Sequence, residues 1–188
     1  MSKIAIIASL CLLLTGLAAA QIPTSGNIFV GYSLENASSS ALNLNLSRPN
    51  LQGWEASLEG KVAPWFGIVA DFSGHYGSES FTQVTPGGPL TVNVTGHQQE
   101  VLFGPRVSVP VSRLSPFGEF VVGVSHLGTG GTFPGSTNTS FATALGGGLD
   151  YRLIRPIALR LEGDYLTTRF FSTRQNNLRL STGIVFRF

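Results

Sequence analysis

Hydrophobic and polar residues alternate with a period of two along most of this chain. The segment at residues 176–188 (NNLRLSTGIVFRF) shows the pattern clearly. In an extended strand, Leu178 and Ile184 point to one side, and Arg179 and Arg187 point to the other. The pattern therefore predicts a strand with one apolar face and one face that carries charge.

Eight segments have this period, each bounded by Gly, Pro, Asn or Ser, whereas helical periodicity is scarce. Most contain at least the roughly 9–11 residues that a strand needs to cross a bilayer. The strands of a soluble sandwich are shorter, at about five or six residues. The predicted strands are Gly26–Leu34, Gln52–Ala63, Trp65–Tyr76, Gly96–Val109, Phe117–Leu127, Ser140–Leu153, Ile157–Thr168 and Asn177–Phe188.

The connections between these strands alternate in length. The short ones are Ala63-Pro64, Pro110–Pro116 and Ile154–Pro156. The long ones are rich in Ser, Thr, Asn and Gly, and they are Glu35–Leu51, Gly77–Thr95, Gly128–Thr139 and Arg169–Asn176. Tight periplasmic turns and longer external loops are typical of outer-membrane barrels. The sequence therefore predicts an all-β protein, an eight-stranded antiparallel up-and-down transmembrane β-barrel.

The first twenty residues have a different composition. Lys3 precedes an apolar run at Ile4–Leu14, and Thr15–Ala20 ends in small residues. This is the pattern of a secretory signal peptide, so we expect residues 1–20 to be removed and residues 21–188 to form the barrel domain. Cys11 is the only cysteine of the chain, so the mature protein has none with which to form a disulfide.

Charge argues against a nucleic-acid partner. Without Lys3, 11 basic residues stand against 10 acidic ones, and the arginines are dispersed singly. No basic stripe follows a strand or a loop, although a phosphate backbone would need one. We therefore expect no nucleic-acid partner.

The charged residues of the strands decide which face points inward. With the opposite assignment, each Arg or Lys near the bilayer midplane would cost about 2–4 kcal/mol. Eight strands leave a lumen that side chains just fill, so we expect a paired ion network that plugs the barrel. A narrow solute pore is the alternative. The network is predicted to contain Glu55, Glu59, Lys61, Asp71, Glu100, Arg106, Glu119, Asp150, Arg160, Glu162, Asp164, Arg179 and Arg187.

Aromatic residues cluster near both ends of the predicted strands, where aromatic girdles meet the two membrane interfaces. We expect all of them to point outward. The periplasmic set is Phe66, Phe117, Tyr151, Phe186 and Phe188, and the external set is Tyr32, Trp54, Tyr76, Phe141 and Tyr165.

Several short motifs resemble those of the small outer-membrane β-barrels of the OmpA transmembrane-domain, OmpX and opacity-protein type. They are Gly53-Trp54, PWFGIVADFSG at 64–74, SPFGEFVVGVSH at 115–126, LGGGLDYRL at 145–153 and IVFRF at 184–188. The resemblance implies outer-membrane lipid and lipopolysaccharide, periplasmic chaperones and the barrel-assembly machinery as partners. It also implies that Ile184, Phe186 and Phe188 form an assembly signal. Because the chain ends at the eighth strand, we expect no peptidoglycan-binding domain.

Three functions remain open from the sequence. The first is a non-enzymatic barrel whose loops contact an extracellular ligand, with no catalytic residue, metal or cofactor. The second is an outer-membrane lipid A hydrolase or acyltransferase with a site at the outer rim around His75, His97 and His126, where a metal site with Glu79 is also conceivable. The third is a soluble lipocalin-like barrel, which would reverse the two faces.

Overall fold

Eight β-strands make up almost all of the computed structural model, which describes residues 25–36, 50–85, 88–132, 135–170 and 173–188. The predicted signal peptide lies outside these residues. Within them, no helix is long and apolar enough to cross a membrane. The strands are β1 Gly26–Asn36, β2 Asn50–Ala63, β3 Phe66–Thr85, β4 Gly88–Ser108, β5 Leu114–Gly131, β6 Ser136–Ile154, β7 Ile157–Phe170 and β8 Thr173–Arg187.

The strands form one closed barrel in sequence order, and every neighbouring pair is antiparallel. Closure occurs between the first and the last strand, where Tyr32 of β1 lies opposite Thr182 of β8. On its other side, Tyr32 lies opposite Trp54 of β2. Closure removes the exposed sheet edges, as a spanning sheet requires. The predicted eight-stranded up-and-down barrel is confirmed.

The strands extend further at the external end than the sequence predicts. Most of Gly77–Thr95 was expected to be a loop, but β3 and β4 stay paired as far as Thr85 opposite Gly88. The predicted connections Gly128–Thr139 and Arg169–Asn176 are likewise partly strand, and the greater part of Glu35–Leu51 lies outside the described residues. Beyond the membrane both faces of a hairpin meet water, so alternation fades there although the strands continue.

The two faces of the barrel differ sharply in composition. Large apolar side chains on the outward face are exposed, with Leu161 at 63% and Phe103 at 60%. Most inward positions are polar or charged and buried. The lumen also contains a fully buried apolar patch, formed by residues of β3 to β7: Val69, Leu102, Val121, Ala142, Ala144 and Leu166.

One predicted girdle residue points the wrong way. Phe117 is only 9% exposed and lies inside the barrel, so its assignment to the outward periplasmic girdle was wrong. Its ring lies under the guanidinium groups of Arg106 and Arg160, each 4.5 Å from the ring centroid. Such cation–π contacts strengthen when they are desolvated. Phe66 is half-buried, and the other eight predicted girdle aromatics are exposed.

Candidate functional site

The alternating pattern of the strands gathers a polar site in the lumen. All thirteen residues of the predicted network lie on the inward face. Eleven of them are buried, while the side chains of Lys61 and Arg187, near the periplasmic end, are 16% and 23% exposed. The structure divides them into two clusters, each built around arginine.

The extracellular cluster consists of Arg179 and four carboxylates from four different strands. Arg179 donates to Asp164 Oδ2 from Nη2 at 2.7 Å, and to Asp71 Oδ1 from Nη1 at 2.9 Å. Oxygens of Glu55 and Glu100 lie 3.4 and 3.6 Å from its nitrogens. Arg179 is 0% exposed. One guanidinium therefore joins β8 to β2, β3, β4 and β7 across the lumen.

The periplasmic cluster is built on Arg106 and Arg160. Arg106 on β4 donates from Nε to Glu119 Oε2 at 2.5 Å and from Nη2 to Glu162 Oε1 at 3.2 Å. Arg160 donates to both carboxylate oxygens of Asp150, at 2.7 and 3.1 Å. This bidentate geometry is the strongest form of an arginine–carboxylate pair. Glu59, Lys61 and Arg187 complete the cluster.

A cavity of about 850 Å³ lies at the periplasmic end of the lumen. Residues at the ends of the strands line it, together with Arg106, Phe117 and Arg160. Lys61 Nζ on its wall lies 2.5 Å from Glu59 Oε1 and 2.5 Å from Ser108 Oγ. Water from the periplasm can therefore reach the periplasmic cluster.

Sequence reasoning missed a polar group near the external end of the lumen. Glu35 was predicted to begin the first loop, but it is the penultimate residue of β1 and is fully buried. Gln98 donates to Glu35 Oε1 at 3.1 Å, and Asn177 donates to the same atom at 2.5 Å. In the alternating pattern of β1, Glu35 falls on the same side as Asn27 and Ser33. This alternation could have predicted that Glu35 points into the lumen.

The three histidines do not form one rim site. His75 is 0% exposed and points inward, where its Nε2 lies 2.9 Å from Ser33 Oγ and its Nδ1 lies 3.2 Å from Glu35 Oε2. His97 is exposed, and half-exposed His126 is hydrogen-bonded to Thr139 on β6. His75 therefore has different surroundings from the other two histidines. The side chain of Glu79 lies outside the described part of the structure.

Negative charge exceeds positive charge among the described inward side chains. Including Glu35, nine carboxylates lie inside the barrel with one lysine and four arginines. Burying an uncompensated charge is expensive, so each carboxylate needs a cation, a proton or several hydrogen-bond donors.

On the outer surface, two arginines lie opposite each other near the tip of the β7–β8 hairpin. Arg169 of β7 pairs in register with Arg174 of β8, and both are exposed. Arg169 is four residues beyond Tyr165, a predicted girdle residue, which corresponds to about 13 Å along the strand. Directly opposed like charges destabilise a sheet, and an anion between them would relieve this.

Comparisons with known proteins agree with this architecture. The neisserial surface protein NspA superposes with a TM-score of 0.64 at 12% identity, over 87% of this chain and 97% of that one. Ail from Yersinia pestis, in complex with the heparin analogue sucrose octasulfate, gives a TM-score of 0.57 at 15% identity, over 87% and 98%. The outer membrane protease OmpT from Escherichia coli gives 0.50 at 9% identity, over 88% and 97%.

These three structural likenesses establish the fold alone, because their identities are low. No curated protein matches the sequence. The family described as outer membrane protein beta-barrel domain matches residues 7–188, which is nearly the whole chain. The chain belongs to this family, and it is an integral protein of the bacterial outer membrane.

Proposed function

We propose that this protein is a non-enzymatic anchor, whose plugged barrel holds polar hairpins at the cell surface. The observation that carries the proposal is the position of Arg106 and Arg179, which bridge opposite walls of the lumen. Arg106 joins β4 to carboxylates on β2, β5 and β7, and Arg179 joins β8 to carboxylates on four strands. Both arginines are at most 1% exposed.

Electrical recording in a planar lipid bilayer tests the plug. We expect the wild-type protein to insert without stepwise conductance, because a lumen filled by ion-paired side chains should leave no continuous water path between its two ends. Arg106→Ala removes a bridge next to the periplasmic cavity, and this variant should leak. Steady single-channel steps from the wild-type protein would favour the alternative of a narrow pore.

The hairpins at the external end support a role in surface contact. Nine residues of β3, Gly77–Thr85, continue beyond the girdle residue Tyr76 and pair with β4. At about 3.3 Å per residue this hairpin extends roughly 30 Å along the strand direction. This paired hairpin extends the barrel beyond the predicted girdle at its external end.

The Arg169–Arg174 pair suggests the chemistry of the ligand. Opposed guanidinium groups suit a phosphate or sulfate group, to which arginine donates in a bidentate manner. The complex of Ail with a heparin analogue supports the idea that a barrel of this fold can take a sulfated sugar. We propose that the hairpin contacts anionic sugars, either the phosphorylated part of lipopolysaccharide or a sulfated glycan outside the cell.

Binding measurements with two ligands distinguish these sources. Refolded barrel is titrated with purified lipopolysaccharide and, separately, with heparin, and the double variant R169Q/R174Q is compared with the wild type. R152Q is the control, because half-exposed Arg152 lies at the periplasmic end, where its Nη2 donates to the Ser112 carbonyl oxygen. Equal affinity of R169Q/R174Q and wild type for both ligands would exclude this contact.

Hydrolysis is the second candidate function, because Ser33, His75 and Glu35 lie in the order of a hydroxyl–imidazole–carboxylate triad. The atoms are 2.9 and 3.2 Å apart. All three residues are 0% exposed, however, so a substrate has no route to Ser33 in this arrangement. Incubation with lipid A followed by mass spectrometry tests it. Acyl loss that Ser33→Ala abolishes would replace the non-enzymatic proposal with the enzymatic one.

A further inference from the structure

We infer that the lumen contains a binding site for one divalent transition-metal ion of the zinc class, with Glu35, His75 and Glu100 as its ligands. The three residues come from β1, β3 and β4, and one ligand atom of each lies within 4.8 Å of the others. Glu35 and His75 are 0% exposed, and Glu100 is 2% exposed. This site is separate from the surface hairpins of the proposed function.

The charge distribution of the lumen leaves a place for a cation here. Among the described residues, no arginine or lysine nitrogen lies within 4 Å of a Glu35 oxygen. Arg179 approaches Glu100 to 3.6 Å but also contacts Glu55, Asp71 and Asp164. A bound cation would supply part of the positive charge that nine inward carboxylates require.

The hydrogen-bond chain beside His75 fixes which ring nitrogen is available. When Glu55 is ionised its oxygens only accept, so the single Ser181 proton is used in the contact between Ser181 and Glu55. The Ser181 and Ser33 oxygens are 2.9 Å apart, and with the Ser181 proton directed at Glu55 it is the Ser33 hydroxyl that donates in this contact. Ser33 must then accept from His75 Nε2, 2.9 Å away.

Nδ1 of His75 is therefore left with its lone pair. It lies 3.2 Å from Glu35 Oε2, but it has no hydrogen-bond partner among the described groups. A lone pair and a carboxylate oxygen at this distance repel each other unless a metal ion or a proton lies between them. A histidine that ligates a metal through one nitrogen usually donates from the other, and Ser33 is the acceptor that this arrangement requires.

The donor set indicates the class of ion. Imidazole nitrogen with carboxylate oxygens suits zinc and neighbouring divalent transition metals, whereas magnesium and calcium prefer oxygen alone. Gln98 Nε2 donates to Glu35 Oε1 at 3.1 Å and to Glu100 Oε1 at 2.8 Å. This amide holds the two carboxylates close to each other, which reduces the rearrangement that metal binding needs.

The test uses the full protein, extracted from outer membranes in detergent and treated briefly with EDTA to remove weakly bound metal. Zinc is then added, the excess is removed by gel filtration, and the retained metal is quantified by mass spectrometry. We expect about one zinc per wild-type barrel and a loss of at least tenfold in His75→Asn. Ser33→Ala should weaken affinity by about 10–100-fold, since it removes the group that orients the ring.

His97→Asn is the matched control, because His97 is an exposed histidine of the same barrel. Its replacement should leave zinc retention unchanged. The wild-type protein provides a test that needs no variant. Its heat-induced unfolding should move to higher temperature with zinc, and cobalt should give visible absorption bands of a site with nitrogen and oxygen ligands. Two results would overturn the inference: equal zinc retention by the wild-type protein and a folded His75→Asn variant, or no retained metal and no thermal shift in the wild-type protein. Either result would mean that protons, and not a metal ion, balance the charge of these carboxylates.

Discussion

Replacing Arg179 by methionine removes the charge at the centre of the extracellular cluster and keeps a long side chain in its place. In the wild-type protein the guanidinium donates to Asp164 and Asp71 and lies near Glu55 and Glu100. Methionine cannot donate to any of them. The variant therefore tests whether the lumen depends on paired charge or only on side-chain volume.

The expected loss is large. Removing one partner of a buried ion pair typically costs about 3–5 kcal/mol, because the other partner stays buried without compensation. Here four carboxylates lose the same cation, so we expect a loss at the upper end of that range. Against a typical folding free energy of about 5–15 kcal/mol, such a loss is measurable and still permits folding.

The assay is equilibrium unfolding by urea in lipid vesicles, followed by tryptophan fluorescence and by the migration of unboiled samples on gels. Arg174→Met is the matched control, since it removes the same charge from an exposed position and should change the free energy of unfolding by less than about 0.5 kcal/mol. The double variant R179M/D164N should lose less than the sum of its single variants, because the two residues share one interaction. A loss below about 1 kcal/mol in R179M, or strict additivity, would refute the reasoning, since buried charges without partners must cost more than that.

Three further predictions concern the outer wall and assembly. Leu161→Arg, on the outward face of β7, should cost about 2–4 kcal/mol of folding free energy in lipid, and an unchanged unfolding curve would contradict a lipid-facing position. Gly104→Ala should cost about 1–3 kcal/mol, because a Cβ there would collide with the Phe120 carbonyl oxygen. Gly96→Ala, which has open space, serves as its control, and equal stability of the two would count against the close strand packing. Phe188→Ala should reduce the amount of assembled barrel in the outer membrane and leave refolding of the purified chain unaffected, which would separate an assembly signal from a structural role.

The strands within the membrane could be predicted because lipid enforces a strict alternation. In β7, charged Arg160, Glu162 and Asp164 alternate with Leu159 and Leu161, so both the strand and its inward face follow from period two. The fold class and strand order were correct for this reason.

The external ends could not be predicted in the same way. Gly77–Thr85 continues β3 although its polar and small residues resemble a loop, since backbone pairing with β4 sustains a strand without an alternating pattern. Glu35 was missed for a related reason, because a glutamate at the apparent end of a strand reads as the start of a loop. Its burial depends on Gln98, His75 and Asn177, which come from three other strands.

An alternation with a period of two also does not indicate how far along the barrel axis an inward side chain lies, or which residue it contacts. Phe117 shares its parity with Glu119, so alternation places it inside, but its aromatic character and its position near the periplasmic end suggested a girdle. Its stacking under Arg106 and Arg160 brings a residue of the paired strand β4 together with one of β7, which is not a neighbour of β5 in the sheet. The same limit applies to Val69 and Leu102: alternation places both inside, but it does not indicate that they join one apolar patch.

The central claim is that apolar side chains face lipid while polar and charged side chains fill the lumen. Adjacent residues at nearly the same depth test it: spin labels on single cysteines at Leu58 and Leu180 are compared with labels at Ser57 and Ser181. The chain's single cysteine, Cys11, lies in the predicted signal peptide, and both leucines are exposed while both serines are buried. In lipid vesicles, we predict that dissolved oxygen relaxes the labels at Leu58 and Leu180 strongly and those at Ser57 and Ser181 weakly. Equal accessibility within each pair, or the reverse order, would contradict the account.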